Sequence, residues 1–295
     1  MRPRSLDRTE AAAQVFVEDP AQPVISVGDQ HHLDRVLRLR AGEVVLASDG
    51  KGRFVPCRYS APGRQVDERD QAAHPVLVPF GEVCHVPRSP FAVTVGFVPA
   101  KGDRPEWVVQ KLTEIGVDRI VVLSSVRAVV HWQADRAERA LARLRVVSRQ
   151  AAAQSRRAWV PEISGVMTLA DLLAAADPPN PPEPGRVELG PGPPVAGTSV
   201  AGTSVAGPSV AVQGTELALA HPGAPPPSGS LRAVAVGPEG GWDESELSMA
   251  ALRVGLSDGV LRAETAAVVA GFALCALRDG LLRWSGSGAC NHHAK

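Results

Sequence analysis

Leu231-Arg-Ala-Val-Ala-Val236 runs directly into Gly237-Pro238-Glu239-Gly240-Gly241-Trp242-Asp243, and Val260-Leu261-Arg262-Ala263-Glu264-Thr265-Ala266 follows about twenty residues later. The apolar run reads as a buried strand, and Gly-Pro-Glu-Gly-Gly reads as a tight loop at its end, where glycines permit positive φ and close approach of the main chain. A Gly/Pro cluster after a strand is more often a plain turn than a binding loop. The second stretch changes that balance. Val254 to Leu261, interrupted by Ser257-Asp258-Gly259, has strand character and ends in Arg262 and Glu264, and an Ala-rich helical run from Ala263 to Leu277 follows. Two strand ends then meet at one crevice, the position where open α/β sheets hold ligands. Neither loop has the lysine of a phosphate loop or the spacing of a dinucleotide fingerprint.

Upstream of this point the pattern alternates strand and helix. Phe91 to Val98 is a predicted strand. Asp103-Arg104-Pro105-Glu106 carries helix-start signals, with Asp103 as N-cap and proline in the first turn, and Val108, Leu112 and Ile115 share a face that Gly116 terminates. Arg119 to Leu123 is the next strand. A helix over Asp135 to Gln154 turns Ala140, Leu141, Leu144, Val147 and Ala151 inward and its arginines outward. Glu216 to Ala220 is a further strand ending at His221-Pro222-Gly223, a third strand end for the same crevice. Such alternation implies an α/β fold with a mostly parallel sheet.

The first eighty-odd residues differ. Short alternating runs at Val24 to Val27, Glu43 to Ala47 and Arg53 to Cys57 predict a small β-rich domain, with a turn or two of helix over Gln30 to Leu39. The boundary falls at the Pro-containing stretch Val86 to Pro90, giving domains over 1–88 and 89–285. Residues 177–213 interrupt the second with proline, glycine and the repeat Val195-Ala-Gly-Thr-Ser, Val200-Ala-Gly-Thr-Ser, Val205-Ala-Gly-Pro-Ser, a composition that predicts a disordered insertion.

The chain has 295 residues, 44% hydrophobic content and zero formal net charge. It has no apolar run of membrane-spanning length and no signal-peptide pattern near Met1, so a soluble cytoplasmic protein is expected. Cysteines at 57, 84, 275 and 290 form no CxxC pair, and no metal site is expected. Zero net charge argues against bulk electrostatic binding of nucleic acid, but the charge is unevenly placed. Residues 127–157 hold eight arginines against Asp135 and Glu138. A solvated helix face and a phosphate-binding surface fit this excess equally.

Five stretches stand in order: His31-His-Leu-Asp-Arg-Val-Leu-Arg38, Lys101-Gly-Asp-Arg-Pro-Glu-Trp107 with Gln110-Lys111 and Glu114 to Val117, Gln154-Ser-Arg-Arg157 with Val160 to Ile163, Gly237 to Gly241, and Leu261 to Ala266. Together they resemble the RsmE family, methyltransferases of the SPOUT superfamily that methylate N3 of a uridine in 16S rRNA. The resemblance covers nearly the whole chain except the insertion. It implies an N-terminal PUA-like β-barrel that binds RNA, a C-terminal SPOUT α/β domain threaded as a trefoil knot, and a homodimer. The partner subunit would complete the crevice. S-adenosylmethionine would be the cofactor, bound by Leu219, His221, Pro222, Gly237, Pro238, Glu239, Gly240, Gly241, Leu256, Val260, Leu261 and Arg262. The substrate would be 16S rRNA or the small ribosomal subunit, with neither DNA nor membrane as partner.

Removing the N3 proton and holding the nucleotide require polar groups at the crevice. Arg262 and Glu264 are the catalytic candidates, Arg262 stabilising negative charge on the uracil or its phosphate and Glu264 either accepting the proton or orienting Arg262. Glu264 also fits as a plain N-terminal helix charge. Arg38, Arg53, Lys101, Arg104, Lys111, Gln154, Arg156 and Arg157 are candidates for holding RNA. Two other readings stay open, a SPOUT methyltransferase of another RNA and a non-catalytic RNA-binding adaptor. A nucleotide hydrolase would need a lysine or metal-binding carboxylates at the Gly237 loop, and no lysine stands there.

Overall fold

The computed structural model describes residues 8–60, 77–132, 134–175 and 217–282. The expected insertion at 177–213 lies outside them. Two sheets organise the chain. The first contains β1 (Ala13–Phe16), β2 (Val44–Ser48), β3 (Arg53–Tyr59), β4 (Leu77–Pro79) and β5 (Cys84–His85), in the order β1-β2-β3-β4 with β5 also on β3. Only the β1–β2 pair is parallel. Its core gathers Val15, Val45, Ala47, Val55 and Tyr59 with Leu33, which comes from the helical segment α1 (Val27–His31) and the π-turn that continues it. The strand expected at Val24 to Val27 is absent. Ser26 instead caps α1, its hydroxyl accepting the Asp29 amide at 3.0 Å, so a capping signal overrode the β-branched run.

The second sheet is wholly parallel and holds β6 (Thr94–Phe97), β7 (Arg119–Leu123), β8 (Glu162–Met167), β9 (Leu217–Ala220), β10 (Ala233–Val236) and β11 (Leu252–Val254), in the order β11-β9-β10-β6-β7-β8. Its central strands are apolar on both faces because helices cover both. On one side lie α2 (Arg104–Ile115), α3 (Ala134–Gln154) and α6 (Ala263–Arg278), which contribute Val108, Leu112, Leu141, Leu144, Ala267 and Leu274 to one core. On the other side α4 (Leu169–Ala175) and the segment around Trp242 pack on Leu123, Leu219 and Ala235. α2 ends at Gly116 in the left-handed conformation at φ 98°, as its sequence predicts. Asp103 precedes the helix but its side chain makes no capping hydrogen bond.

One strand is misplaced in the sequence reading. β11 ends at Val254, where the expected strand was to begin, and residues 255–262 form a loop. Gly255 is the reason: its N–H donates to the Pro225 carbonyl at 2.7 Å, and a Cβ there would overlap the Ala224 carbonyl oxygen. The strand stops because another stretch of backbone crosses it.

Candidate active site

Three loops at the carboxyl ends of β9, β10 and β11 line one crevice, with the first turn of α6 beside them. The wall includes Ala220, His221 and Pro222 from the first loop, Gly237, Pro238, Glu239, Gly241 and Trp242 from the second, and Leu256, Ser257, Gly259, Val260 and Leu261 from the third. Most of the residues expected to bind the cofactor are therefore neighbours. Three are not on the wall. Leu219 is fully buried in the core beneath the sheet, because adjacent residues of a strand face opposite sides and Ala220 takes the crevice side. Gly240 lies at the outer turn of its loop, with open space around the position of its missing Cβ. Arg262 is exposed and serves as N-cap of α6 without a side-chain cap.

The loop after β10 is held from below. Gly241 adopts φ 73°, a conformation that strains other residues. Beyond it, α5 (Glu244–Leu247) opens with a capping box in which Asp243 accepts the Ser245 amide at 3.1 Å and Glu246 accepts the Asp243 amide at 3.0 Å. Glu246 is buried, and it also accepts the Ser125 hydroxyl at 3.0 Å and the Val126 amide at 3.2 Å from the loop after β7. Ser245's hydroxyl and amide hold the Asp243 carboxyl below its ordinary range, helped by Arg127 3.2 Å away. The Asp-Glu-Ser-Glu spacing was the available signal for this brace.

Charge at the crevice centres on Arg104. Its Nη1 lies 2.6 Å from Glu239 and 3.6 Å from Glu264, bridging the β10 loop and the first turn of α6. Glu264 pairs with Arg104 and not, as one expectation had it, with Arg262. The other Glu264 oxygen, Oε2, is buried with no hydrogen-bond partner among the described residues, and so is the indole N–H of Trp242 on the crevice wall. Buried polar atoms in this condition are rare and mark places where a ligand can complete the hydrogen bonding. Together with the apolar Leu256, Val260 and Leu261, they suit a ligand that has an aromatic face and polar edges.

The expected RNA-binding residues scatter. Arg38 is exposed, at φ 52°. Arg53 pairs with Asp19 at 3.3 Å, Lys111 pairs with Glu114 at 2.9 Å, and Gln154 is exposed. Arg156 and Arg157, expected on an outward basic face, turn inward. Arg156 donates to the carbonyls of Ala11, Ala12, Ala153 and Gln154 at 2.7–3.3 Å. Arg157 donates to the Glu114 carbonyl at 2.6 and 3.2 Å. In both, desolvation lowers the guanidinium's pKa. Gln14 accordingly reaches the Arg157 carbonyl at 2.8 Å, so this corner joins the two sheets.

A family model described as an RNA methyltransferase domain matches residues 87–181 and 206–274, and one described as an RNA methyltransferase PUA domain matches residues 25–65. The class defined by fold and crevice is thus an RNA methyltransferase with an N-terminal PUA domain. A ribosomal RNA small subunit methyltransferase E from Mycobacterium bovis is 31% identical over 271 residues, 90% of each chain. The chain belongs to the ribosomal RNA small subunit methyltransferase E family. Among solved structures, a probable rRNA methyltransferase from Porphyromonas gingivalis superposes with TM-score 0.63 at 22% identity, covering 92% of this chain and 100% of that one. A ribosomal RNA small subunit methyltransferase E from Neisseria gonorrhoeae, bound to S-adenosyl methionine, gives TM-score 0.61 at 24% identity, covering 90% and 97%.

Proposed function

We propose that the protein transfers a methyl group from S-adenosylmethionine to N3 of a uridine in 16S rRNA of the small ribosomal subunit. The observation that carries this reading is the three-loop crevice, with the Trp242 indole N–H on its wall and Glu264 Oε2 in the adjoining first turn of α6 both buried without a partner among the described residues, in a chain of this family. His221, Pro222, Gly237, Pro238, Glu239, Gly241, Leu256, Val260 and Leu261 would hold the cofactor, which when bound supplies a methyl group activated on a sulfonium. Ala220, Trp242, Ser257, Gly259, Ala263 and Ala266 join them on the wall although sequence reasoning did not single them out. Their signal was period-two facing for Ala220 and helical spacing for Ala263 and Ala266.

The chain's own residues then have three tasks. Glu264, fixed through one oxygen by Arg104 and with Oε2 unengaged, accepts the N3 proton. Arg262 stands one residue before α6, two positions from Glu264, and stabilises the negative charge left on the uracil or its phosphate. Leu256 and Leu261, half-buried on the wall, keep water from the reacting atoms.

We further read the last part of the chain as threaded into a trefoil knot. Three features support this: β11 lies at the sheet edge beside β9, α6 after it returns to pack on β10, β6 and α2, and the Gly255 backbone is pressed against Ala224. We place the domain boundary near residue 88, where the chain passes from β5 to β6, with a PUA-like barrel on the N-terminal side. The chain acts as a homodimer in the cytoplasm. Support for the dimer is an apolar groove along α6 lined by Ala224, Pro226, Pro227, Leu256, Val269 and Ala273, with Phe272 exposed beside it. Leu256 belongs to both groove and crevice, so a second copy seated there would also close the crevice. Phe272→Glu is expected to convert a dimer to a monomer in sedimentation velocity; a wild-type monomer would contradict this part of the reading.

Gly259 provides the test of the crevice. It lines the wall, its φ is not in the left-handed region, and only Ser257 Oγ comes as near as 4.0 Å to where a Cβ would stand. Gly259→Val is therefore expected to fold normally and to weaken S-adenosylmethionine binding at least roughly tenfold in calorimetric titration, by filling ligand space. Unchanged affinity would contradict the assignment of the crevice.

A further inference from the structure

The eight arginines of residues 127–157 separate into two groups. Six are engaged: Arg127 with Asp243, Arg143 with Glu106, Arg145 with the Ile163 carbonyl, Arg149 over the Phe16 ring, and Arg156 and Arg157 as described. Arg136 and Arg139 have no hydrogen-bond or ion-pair partner among the described residues, and both are exposed.

Both line the same groove, about 390 Å³ in volume, between α3 and the loop joining β6 to α2. Arg136, Arg139, Ala140, Arg143 and Leu144 form its α3 wall, spaced so that one helical face carries them all. Lys101, Gly102, Pro105 and Glu106 form the facing wall, and half-buried Trp132 closes one side. Glu106 is the groove's one carboxylate, and Arg143 neutralises it at 2.9 Å. The two carboxylates of α3 itself, Asp135 and Glu138, are exposed and line no part of it.

Arg104 links the groove to the crevice. Gly102 and Pro105 on the groove's wall flank Arg104, whose guanidinium reaches Glu239 and Glu264 at the crevice. We infer that the groove is where the RNA strand flanking the methylated uridine lies, with Arg136, Arg139 and Lys101 on its phosphates and Trp132 offering a face to one of its bases. The inference rests on the proposed methylation of ribosomal RNA and deepens it by giving the substrate a path to the crevice. Unpaired arginines beside an aromatic ring, with a neutralised carboxylate, are the groups that hold single-stranded RNA without reading its sequence. Arginine in particular grips phosphate through two N–H groups at once.

The test compares wild type with Arg136→Ala/Arg139→Ala and with the charge reversal Arg136→Glu/Arg139→Glu. The probes are 16S rRNA transcribed in vitro and purified small subunits. Each lost contact to single-stranded phosphate lowers the slope of log K against log salt by about 0.7, so the alanine pair is expected to lower it by about 1.4 and to weaken binding roughly tenfold. The reversal is expected to weaken it further. S-adenosylmethionine affinity, measured on the same preparations, is expected to stay within twofold of wild type. A wild type that methylates RNA while both variants match its RNA affinity and salt slope overturns the groove alone. A wild type that binds S-adenosylmethionine but neither binds nor methylates either RNA overturns the proposed substrate, and the groove's role with it.

Discussion

α3 carries an arginine pair near each end, and the two pairs have opposite fates. Arg136 and Arg139 at the amino end are exposed and unpartnered among the described residues, while Arg156 and Arg157 just past the carboxyl end are drawn inward onto backbone carbonyls. The residue type is the same and so is the helix. What differs is the backbone within reach. At the carboxyl end, the last turn of α3, the segment before β1 and the end of α2 all present carbonyl oxygens within reach, and a guanidinium with five N–H groups can bond several at once. At the amino end no carbonyl or carboxylate among the described residues pairs with Arg136 or Arg139, and the nearby Glu106 is taken by Arg143. A local count of arginines therefore measures a reservoir, and the surrounding acceptors decide which members remain for a ligand.

The strongest way to break this comparison is to remove each pair. Arg156→Ala/Arg157→Ala leaves half-buried carbonyls without donors, and charge-assisted hydrogen bonds contribute about 1.5–3 kcal/mol each, so a loss of roughly 3 kcal/mol is expected in chemical denaturation. Arg136→Ala/Arg139→Ala is expected to change stability by less than about 0.5 kcal/mol, as exposed substitutions do. Equal losses from the two pairs would remove the distinction.

A gentler probe uses thiols. Cys275 lies beside Arg157 and Arg278 at the dry end, and burial pushes its thiol up to about 12, as it pushes Cys57 up to about 11. Both native thiols thus stay protonated where an unfolded chain would ionise. The stability they contribute is full below about pH 9 and is lost as pH rises toward 11 and 12, because the unfolded state releases protons first. Cys275 is expected to resist alkylation at pH 8, whereas R139C, at the wet end, reacts within minutes. Rapid modification of Cys275 in the folded protein would show that this corner is open.

Much of the fold was legible. Apolar runs gave β6, β7, β9 and β10, the 3.6-residue period gave α2 and α3, and an Ala-rich run gave α6, because buried parallel strands and packed helices leave their packing in the local pattern. Two of the crevice's three loops were legible for the same reason, following directly from β9 and β10, which the sequence marks. Errors arose where the cause was distant in sequence. β11 stops early because Gly255 meets Ala224 backbone. Arg104 reads as a candidate for holding RNA until the fold brings Glu239 and Glu264 to it. Arg156 is bound by carbonyls some 145 positions away. Leu219 was a different kind of miss, since strand alternation alone could have assigned it to the core and Ala220 to the crevice.

The central claim is that the crevice methylates a uridine of small-subunit rRNA at N3. Nucleoside mass spectrometry of 16S rRNA from a strain lacking this protein, complemented with wild type or with Gly259→Val, tests it most directly. The account predicts that N3-methyluridine disappears in the deletion, returns with wild type and does not return fully with Gly259→Val. N3-methyluridine that persists at its wild-type level in the deletion strain would contradict it.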